Sequence, residues 1–200
     1  MERGLETWIV PALLLMLAAW AAVVYNRLVQ SRSRIANAYA QIDVQLKRRH
    51  DLVPNLVEVA RRYLSHEAAT LEAVVRARGA ALGAADAARS APSDARAIGA
   101  LAMAEGALGG SLGRLLAVAE GHPDLKADAT MQSLSETLAS TENRIGFARQ
   151  AYNDQVLAYN DAAMRFPDLL VARPLGFAPA AMLQSTETAA ERAAPRVVFQ

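Results

Sequence analysis

The chain has 200 residues, of which 53% are hydrophobic and 6% aromatic, with no cysteine and a formal net charge of +1. This length fits one domain plus a short additional segment, and the lack of cysteine excludes disulfides, thiolate metal sites and cysteine nucleophiles. Because the net charge is near neutral, the composition argues against nucleic-acid binding. Because alanine outnumbers the β-branched residues, the composition predicts an all-α fold.

An uncharged apolar stretch extends from Trp8 to Tyr25, after a short N-terminal segment of residues 1–7. Its eighteen residues are near the lower limit for a helix that crosses a ~30 Å hydrocarbon layer. Amphipathic rings favour the headgroup level, and two of them lie at the ends of this stretch. We predict a transmembrane anchor over residues 8–25, with Trp8, Trp20 and Tyr25 as its aromatic anchor residues.

A cleaved signal peptide is the competing interpretation of the same stretch, because residues 19–21 form an A-x-A cleavage pattern. Signal peptides begin with a positively charged segment, whereas Arg3 is here offset by Glu2 and Glu6. A retained anchor is therefore favoured over cleavage.

The arginines that follow the anchor predict its orientation. Arg27, Arg32 and Arg34 lie just after the span, against Arg3 alone before it. Positive charge favours the cytoplasmic side, so we expect the N-terminus outside and the C-terminal domain in the cytoplasm, with a periplasmic domain as the alternative. The same three arginines are predicted to contact anionic lipid headgroups.

Apolar residues beyond the anchor recur at three- and four-residue intervals, which predicts a long helix that continues from the membrane span. Pro54 removes one backbone donor and crowds the carbonyl of His50. We therefore expect the helix to break near His50, with Asp51 as the N-cap of a second helix from about Leu52 to Ala88. A kinked, continuous helix is the alternative.

Two further helices are predicted, one from the turn at residues 90–94 to Glu120 and one from about Leu125 to Phe166. Five glycines in the first of them favour fraying or unusually close packing, since each lowers helix propensity by ~1 kcal/mol. Residues 26–176 are thus expected to form an elongated antiparallel bundle of four helices, or of three if the first two are one kinked helix. Residues 177–200 are rich in proline and alanine and are expected to be poorly ordered.

Two stretches are distinctive: AYAQIDVQLKRRHDLVPNLVEVARRYLSHE at 38–67, and LAVAEGHPDLKADATMQSLSETLASTENRIGFARQAYNDQVLAYN at 116–160, followed by FPDLLVA at 166–172. They closely resemble the signature of the LemA family, and the resemblance covers roughly residues 26–180. It implies an N-terminal anchor, an elongated helical domain and association with bacterial membranes. It implies no reaction, although one branch of the family is linked to formation of intracellular membrane compartments.

Polar residues along the bundle are the remaining candidates for a site. They are predicted as contacts with a partner or between helices: Gln41, Asp43, Lys47, Arg48, Arg49, Glu142, Arg149, Asn153 and Asn160. For Lys47 to Arg49 the acidic Glu142 is a suitable partner on another helix. For the amides, pairing that fixes helix register is favoured over ligand binding.

No catalytic, metal or cofactor-binding residue is predicted. His50, Asp51 and His66 are among the side chains with metal-ligand chemistry, but their spacing matches no metal motif, and neither a nucleophile motif nor a phosphate loop occurs. The sequence therefore predicts a non-catalytic membrane scaffold that recruits an unidentified protein. A self-assembling protein that organises or remodels membranes is the alternative. The expected partners are membrane lipids, another protein and further copies of the chain, but no nucleic acid.

Overall fold

The computed structural model describes the backbone of residues 3–184 and the side chains of residues 8–184. Its regular structure consists of helices, and no strand occurs within residues 3–184. The helices are α1 (Arg3–Tyr63), α2 (Ala68–Ser90), α3 (Ala95–Glu120), α4 (Pro123–Ala127), α5 (Ala129–Met164) and α6 (Leu169–Ala172). The predicted all-α class is confirmed. The side chains of the predicted segment 1–7 lie outside the described residues.

The predicted membrane span and the first bundle helix are one element, because α1 runs 61 residues without interruption. At ~1.5 Å per residue its length is about 90 Å. No other helix of the described residues covers its N-terminal part: Trp8 is 75% exposed and Leu15 72%. Large apolar side chains so exposed along an uncharged helix of this length fit a lipid environment.

The expected helix break at His50 is wrong, because α1 continues through Pro54. Proline leaves the His50 carbonyl without its helical donor. Arg78 of α2 supplies the missing donor, with its Nε 2.7 Å from the His50 carbonyl oxygen. A charged donor from a neighbouring helix thus satisfies the carbonyl that would otherwise favour a break. Asp51 is consequently a helical residue and no N-cap.

The turn between α1 and α2 lies at residues 64–67 instead, so the expected helix from Leu52 to Ala88 is wrong there. Leu64 is 2% exposed, and its N–H donates to the Ala60 carbonyl at 2.9 Å. Burial of Leu64 therefore holds the end of α1 on the bundle. The turn contains neither glycine nor proline, which are the usual sequence signals of such a boundary.

The later boundaries are set by aspartate caps. The Asp94 carboxylate accepts hydrogen bonds from the Arg96 and Ala97 N–H groups and begins α3 within the predicted turn. Asp128 caps α5 in the same way. Because the short α4 precedes it, α5 starts four residues later than the predicted Leu125.

The helix α3 is not frayed, and four of its five glycines mark no close approach. The helix is continuous, and a Cβ placed at Gly99, Gly109, Gly110 or Gly113 would meet no atom within 4 Å. Although α3 is long and apolar enough to be considered as a membrane span, Ile98, Leu101, Leu108, Leu112 and Leu115 on one of its faces are buried in the bundle. It is a core helix with an alanine- and glycine-rich outer face.

The bundle has two apolar cores, one near the membrane anchor and one at the far end. The near core joins α1 from Val24 to Leu46 with α6 and the C-terminal half of α5. The far core joins α1 from Val53 to Leu64 with the start of α5. Buried polar residues, described below, lie between the two cores. The long axis therefore follows α1, and the bundle is a rod.

Candidate functional site

The middle of the rod contains a buried polar centre, formed by Arg49, His50, Glu105 and Glu142. Arg49 is 5% exposed and reaches from α1 to both α3 and α5. Its guanidinium forms an ion pair with the Glu105 carboxylate, lies 2.6 Å from a Glu142 oxygen and donates to the Glu105 backbone carbonyl at 3.2 Å. The structure thus brings Arg49 to Glu142, the acidic position that the sequence suggested.

The carboxylate of Glu105 serves two partners at once. His50 is 1% exposed, and its Nε2 lies 2.8 Å from the second Glu105 oxygen. Because a charge in the protein interior must be paired to be tolerated, this arrangement links α1 and α3 strongly in one register. The Glu105 side chain is 13% exposed and that of Glu142 is 42% exposed, so Glu105 is the more important partner of Arg49.

The Arg49 side of the polar centre leaves little room for a ligand, whereas His50 also lines a separate cavity of about 420 Å³. The cavity beside Arg49 has a volume of about 90 Å³ and is also lined by Glu105, Glu142 and Arg149. Ligand pockets usually measure roughly 300–1,000 Å³. Since the carboxylates also already accept hydrogen bonds, the arrangement is suited to holding helix register rather than to binding or converting a substrate.

Of the other predicted polar residues of α1, one contacts a neighbouring helix and three are exposed to solvent. Asp43 accepts two hydrogen bonds from Arg89 of α2, at 2.8 and 2.9 Å, and this carboxylate raises the pKa of the Arg89 guanidinium further. Gln41, Lys47 and Arg48 are exposed. Within the described part of the chain, no group of three or more His, Asp or Glu side chains could hold a metal ion.

Two buried tyrosines connect helices near the middle of the near core. Tyr39 and Tyr152 pack edge to face with ring centroids 6.2 Å apart, and Tyr39 donates to the Ala85 carbonyl. The Tyr152 hydroxyl lies 2.9 Å from the Pro92 carbonyl and 3.0 Å from that of Ala181. Burial raises the pKa of Tyr152 to about 12. The hydroxyls therefore remain neutral donors at physiological pH.

Residues 177–184 form an extended strap along α5, so the expected disorder is wrong for this part of the tail. Asn160 donates to the Ala180 carbonyl and accepts from the Ala180 N–H, both at 2.9 Å. Asn153 makes the same pair of bonds with Leu183, at 3.1 and 2.9 Å. Residues 185–200 of the predicted tail lie outside the described residues.

The spacing of these amides explains why the strap fits. Seven residues of helix rise about 10.5 Å, and three residues of extended chain rise about 10 Å. Asn153 and Asn160 are seven residues apart, and Leu183 and Ala180 are three apart in the opposite direction. Each amide therefore meets a backbone N–H and C=O, and the strap runs antiparallel to α5.

The base of the rod, where α1 leaves the membrane span, is closed by α6 and the start of the strap. Arg27 of α1 forms an ion pair with Asp168, which lies directly before α6 and is 7% exposed. The rings of Tyr25 and Phe177 meet edge to face at a centroid distance of 5.6 Å. The last residue of the predicted span and a residue just after it thus contact the end of the bundle.

Arg32 also contacts the bundle rather than only solvent. Its guanidinium lies 4.9 Å from the Phe177 ring centroid and 5.9 Å from that of Tyr159, and it donates to the Gly176 carbonyl at 3.1 Å. Arg27 and Arg32 therefore make intramolecular contacts that the predicted headgroup role did not include. Arg34 is exposed.

Sequence reasoning missed Glu105, Arg78, Arg89 and Asp168, each of which pairs with a residue of α1. Glu105 had a detectable signal, because it is the one acidic residue within the apolar interior of α3. A carboxylate within an apolar run of a helix that packs in the core needs a partner. The other three are ordinary charged residues whose partners become visible only in the fold.

Comparison with known proteins finds relatives that match part of the chain, and a protein family. The chain is 33% identical over 78 residues to magnetosome protein MamQ of Magnetospirillum gryphiswaldense, which covers 39% of this chain and 29% of that protein. It is 34% identical over 85 residues to magnetosome proteins MamQ 1 and MamQ 2 of Paramagnetospirillum magneticum, covering 42% of this chain and 31% of each. The chain thus spans about three-tenths of the length of these curated relatives.

The family profile covers much more of the chain than these relatives do. Residues 38–199 match the profile of the LemA family. That range includes all of the bundle beyond Ala38, with the polar centre and the strap. The chain belongs to the LemA family.

Proposed function

We propose that this protein is a membrane-anchored, non-catalytic scaffold that presents its rod-like bundle for protein recruitment. The observation that carries the proposal is the continuity of α1, which extends from an exposed apolar span to the far end of the bundle. From Tyr25 to Tyr63 it covers about 57 Å at ~1.5 Å per residue. A partner bound on the rod is thereby held at a defined height above the membrane.

The pairing of charged side chains within the polar centre supports a non-catalytic function. Catalytic groups need a reactive atom near space for a substrate. Within residues 8–184, buried Arg49 and His50 are both engaged by the half-buried Glu105 carboxylate, and the cavity beside Arg49 measures only about 90 Å³. Their arrangement fits a structural role.

Exposed side chains along the rod are the proposed recruitment surface. Large apolar residues lie exposed on several helices, including Val44 (60%), Met103 (74%) and Phe147 (75%). Lys47 and Arg48 are exposed on α1 at a similar height. Apolar and cationic groups on a rigid helical surface are suited to a protein partner.

Photo-crosslinking in the native membrane tests recruitment. Photo-reactive residues at Arg48 and Phe147 of the full chain should give a discrete heterologous adduct, whereas the same residue at buried Leu46 should give none. Absence of any heterologous adduct at exposed positions along the rod, or a turnover activity abolished by His50→Ala alone, would contradict the scaffold.

We further propose that the N-terminus is outside and the bundle in the cytoplasm, on the basis of the arginines that follow the span. A single cysteine at the exposed His66 reports the side of the rod. Cytoplasmic placement predicts protection from a membrane-impermeant thiol reagent in intact cells and labelling after lysis. Labelling in intact cells would instead support the periplasmic alternative.

The alternative function is a self-assembling protein that organises membranes, and the name of the magnetosome relatives favours it. It predicts that photo-crosslinks at Arg48 and Phe147 join copies of this chain. Adducts between copies without a heterologous partner would replace the scaffold proposal by this alternative.

A further inference from the structure

The base of the bundle carries exposed apolar side chains that the proposed function does not use. They lie in the corner between α5 and the strap, residues 164–176. Met164 is 56% exposed, Phe166 76%, Leu170 63% and Leu175 53%. Exposed Arg165 and Arg173 are interleaved with them. A cluster of large apolar groups in one short corner marks a contact surface.

The opposite side of the corner packs on the membrane-proximal part of α1. Val171 is 7% and Ala172 1% exposed, and both belong to the same core as Val24 and Leu28 of α1. The corner is therefore fixed beside the point where α1 leaves the predicted span, with its apolar groups facing outward.

The length of the free span sets the depth of this corner. Trp20 and Ala21 already pack against the core that contains α6, so only residues 8–19 of the uncharged stretch lie below the bundle. Twelve helical residues cover about 18 Å. A bilayer has a hydrocarbon core of ~30 Å, so the span reaches across it only if the base of the bundle is itself within the bilayer.

We propose that the corner of residues 164–176 is inserted into the bilayer beside α1 and forms a second membrane contact. This proposal rests on the proposed membrane anchor. Phe166 and Leu170 then lie among lipid chains, while Arg165 and Arg173 extend to headgroup phosphates through their long side chains. The rod is thereby held at two points, which restricts its rotation about α1.

The charges at this level are compatible with insertion. Charged groups near hydrocarbon are tolerated when they are paired. Arg27 and Asp168 form an ion pair at the base, and Asp168 is 7% exposed. The base therefore presents apolar groups and arginines outward, and buries its aspartate against α1.

Spin labels on single cysteines test the depth of the corner, since the chain has no cysteine of its own. The full chain is reconstituted in vesicles of phosphatidylcholine with a minor fraction of phosphatidylglycerol. Labels are placed at Phe166→Cys and, as a matched control, at Phe147→Cys on the rod, because the two phenylalanines are 76% and 75% exposed. A label at Leu14→Cys reports the anchor.

The readout is the ratio of collisions with oxygen, which enriches in hydrocarbon, to collisions with a water-soluble nickel complex. Insertion predicts a ratio at position 166 about tenfold or more above that at 147, because polar complexes partition poorly into hydrocarbon. Equal ratios at 166 and 147, with a lipid-exposed label at 14, would overturn the inserted corner but keep the anchor.

Two further outcomes would also overturn the inserted corner. An aqueous label at position 14 would overturn the anchor and the inserted corner together. A label at 166 that is shielded from both reagents and broadened by spin coupling would mean that a second copy of the chain covers the corner. That result overturns the lipid contact as well.

Discussion

Replacement of Arg78 tests whether its side chain explains the continuity of α1 through Pro54. We expect Arg78→Met to destabilise the bundle by about 2 kcal/mol, since a hydrogen bond from a charged donor contributes roughly 1.5–3 kcal/mol. Methionine retains much of the apolar part of the side chain, so the loss reports mainly the bond to the His50 carbonyl. For a chain of this size it corresponds to a decrease in Tm of about 4–8 °C.

The same replacement in a Pro54→Ala background separates this bond from other effects of Arg78. Alanine restores a backbone N–H four residues after His50, so the carbonyl keeps a donor when Arg78 is removed. We expect the cost of Arg78→Met to fall below about 1 kcal/mol in that background, which is a coupling of about 1 kcal/mol or more.

Urea denaturation of the full chain in mild detergent, followed by far-UV circular dichroism, measures all four variants of this cycle. Arg76→Met is the matched control, because its i,i+4 ion pair with Glu72 is exposed and contributes less than about 0.5 kcal/mol. An equal cost of Arg78→Met with and without Pro54 would refute the compensation of the proline by Arg78.

Other substitutions test the polar centre, the strap and the Asp128 cap of α5. Glu105→Gln should lower the free energy of unfolding, measured by urea denaturation, by about 3 kcal/mol, and Glu142→Gln by less than about 1 kcal/mol, because Glu105 is much less exposed than Glu142. Equal costs would contradict this difference. Asn160→Ala should speed amide exchange in residues 177–184, measured by mass spectrometry, and unchanged protection would show that its bonds do not hold the strap. The Asp128 carboxylate has a pKa lowered by the Met131 N–H, so it stabilises the fold above its unfolded pKa near 3.8. Asp128→Ala should lower stability at neutral pH, with a difference that shrinks as acidification protonates the carboxylate; a difference independent of pH would contradict the cap.

The anchor and the bundle could be predicted because their signals are local. An uncharged stretch, a helical repeat of apolar residues and an aspartate such as Asp94 before α3 each indicate structure within a few residues of sequence. The continuity of α1 through Pro54 has no local signal, because it depends on Arg78, which lies on another helix. Likewise, the turn at residues 64–67 is formed by burial of Leu64 and not by a glycine or proline.

The strap and the polar centre depend on matched spacing between distant segments. Asn153 and Asn160 were expected to make contacts, but the composition of the tail favoured disorder over pairing with them. Charge alone predicts Glu142 as a partner of Lys47 to Arg49. The more buried partner, Glu105, lies on α3 and is defined only once three helices are assembled.

One uninterrupted helix, α1, connects the predicted membrane span to the far end of the rod. The distance between spin labels at Val23→Cys and Arg62→Cys, measured by pulsed electron paramagnetic resonance in vesicles, tests it most directly. Both side chains are exposed, at 66% and 65%. A straight α1 predicts a narrow distribution near about 60 Å. A broad distribution or a clearly shorter distance would mean that the anchor and the rod move independently, and it would contradict a scaffold of fixed height.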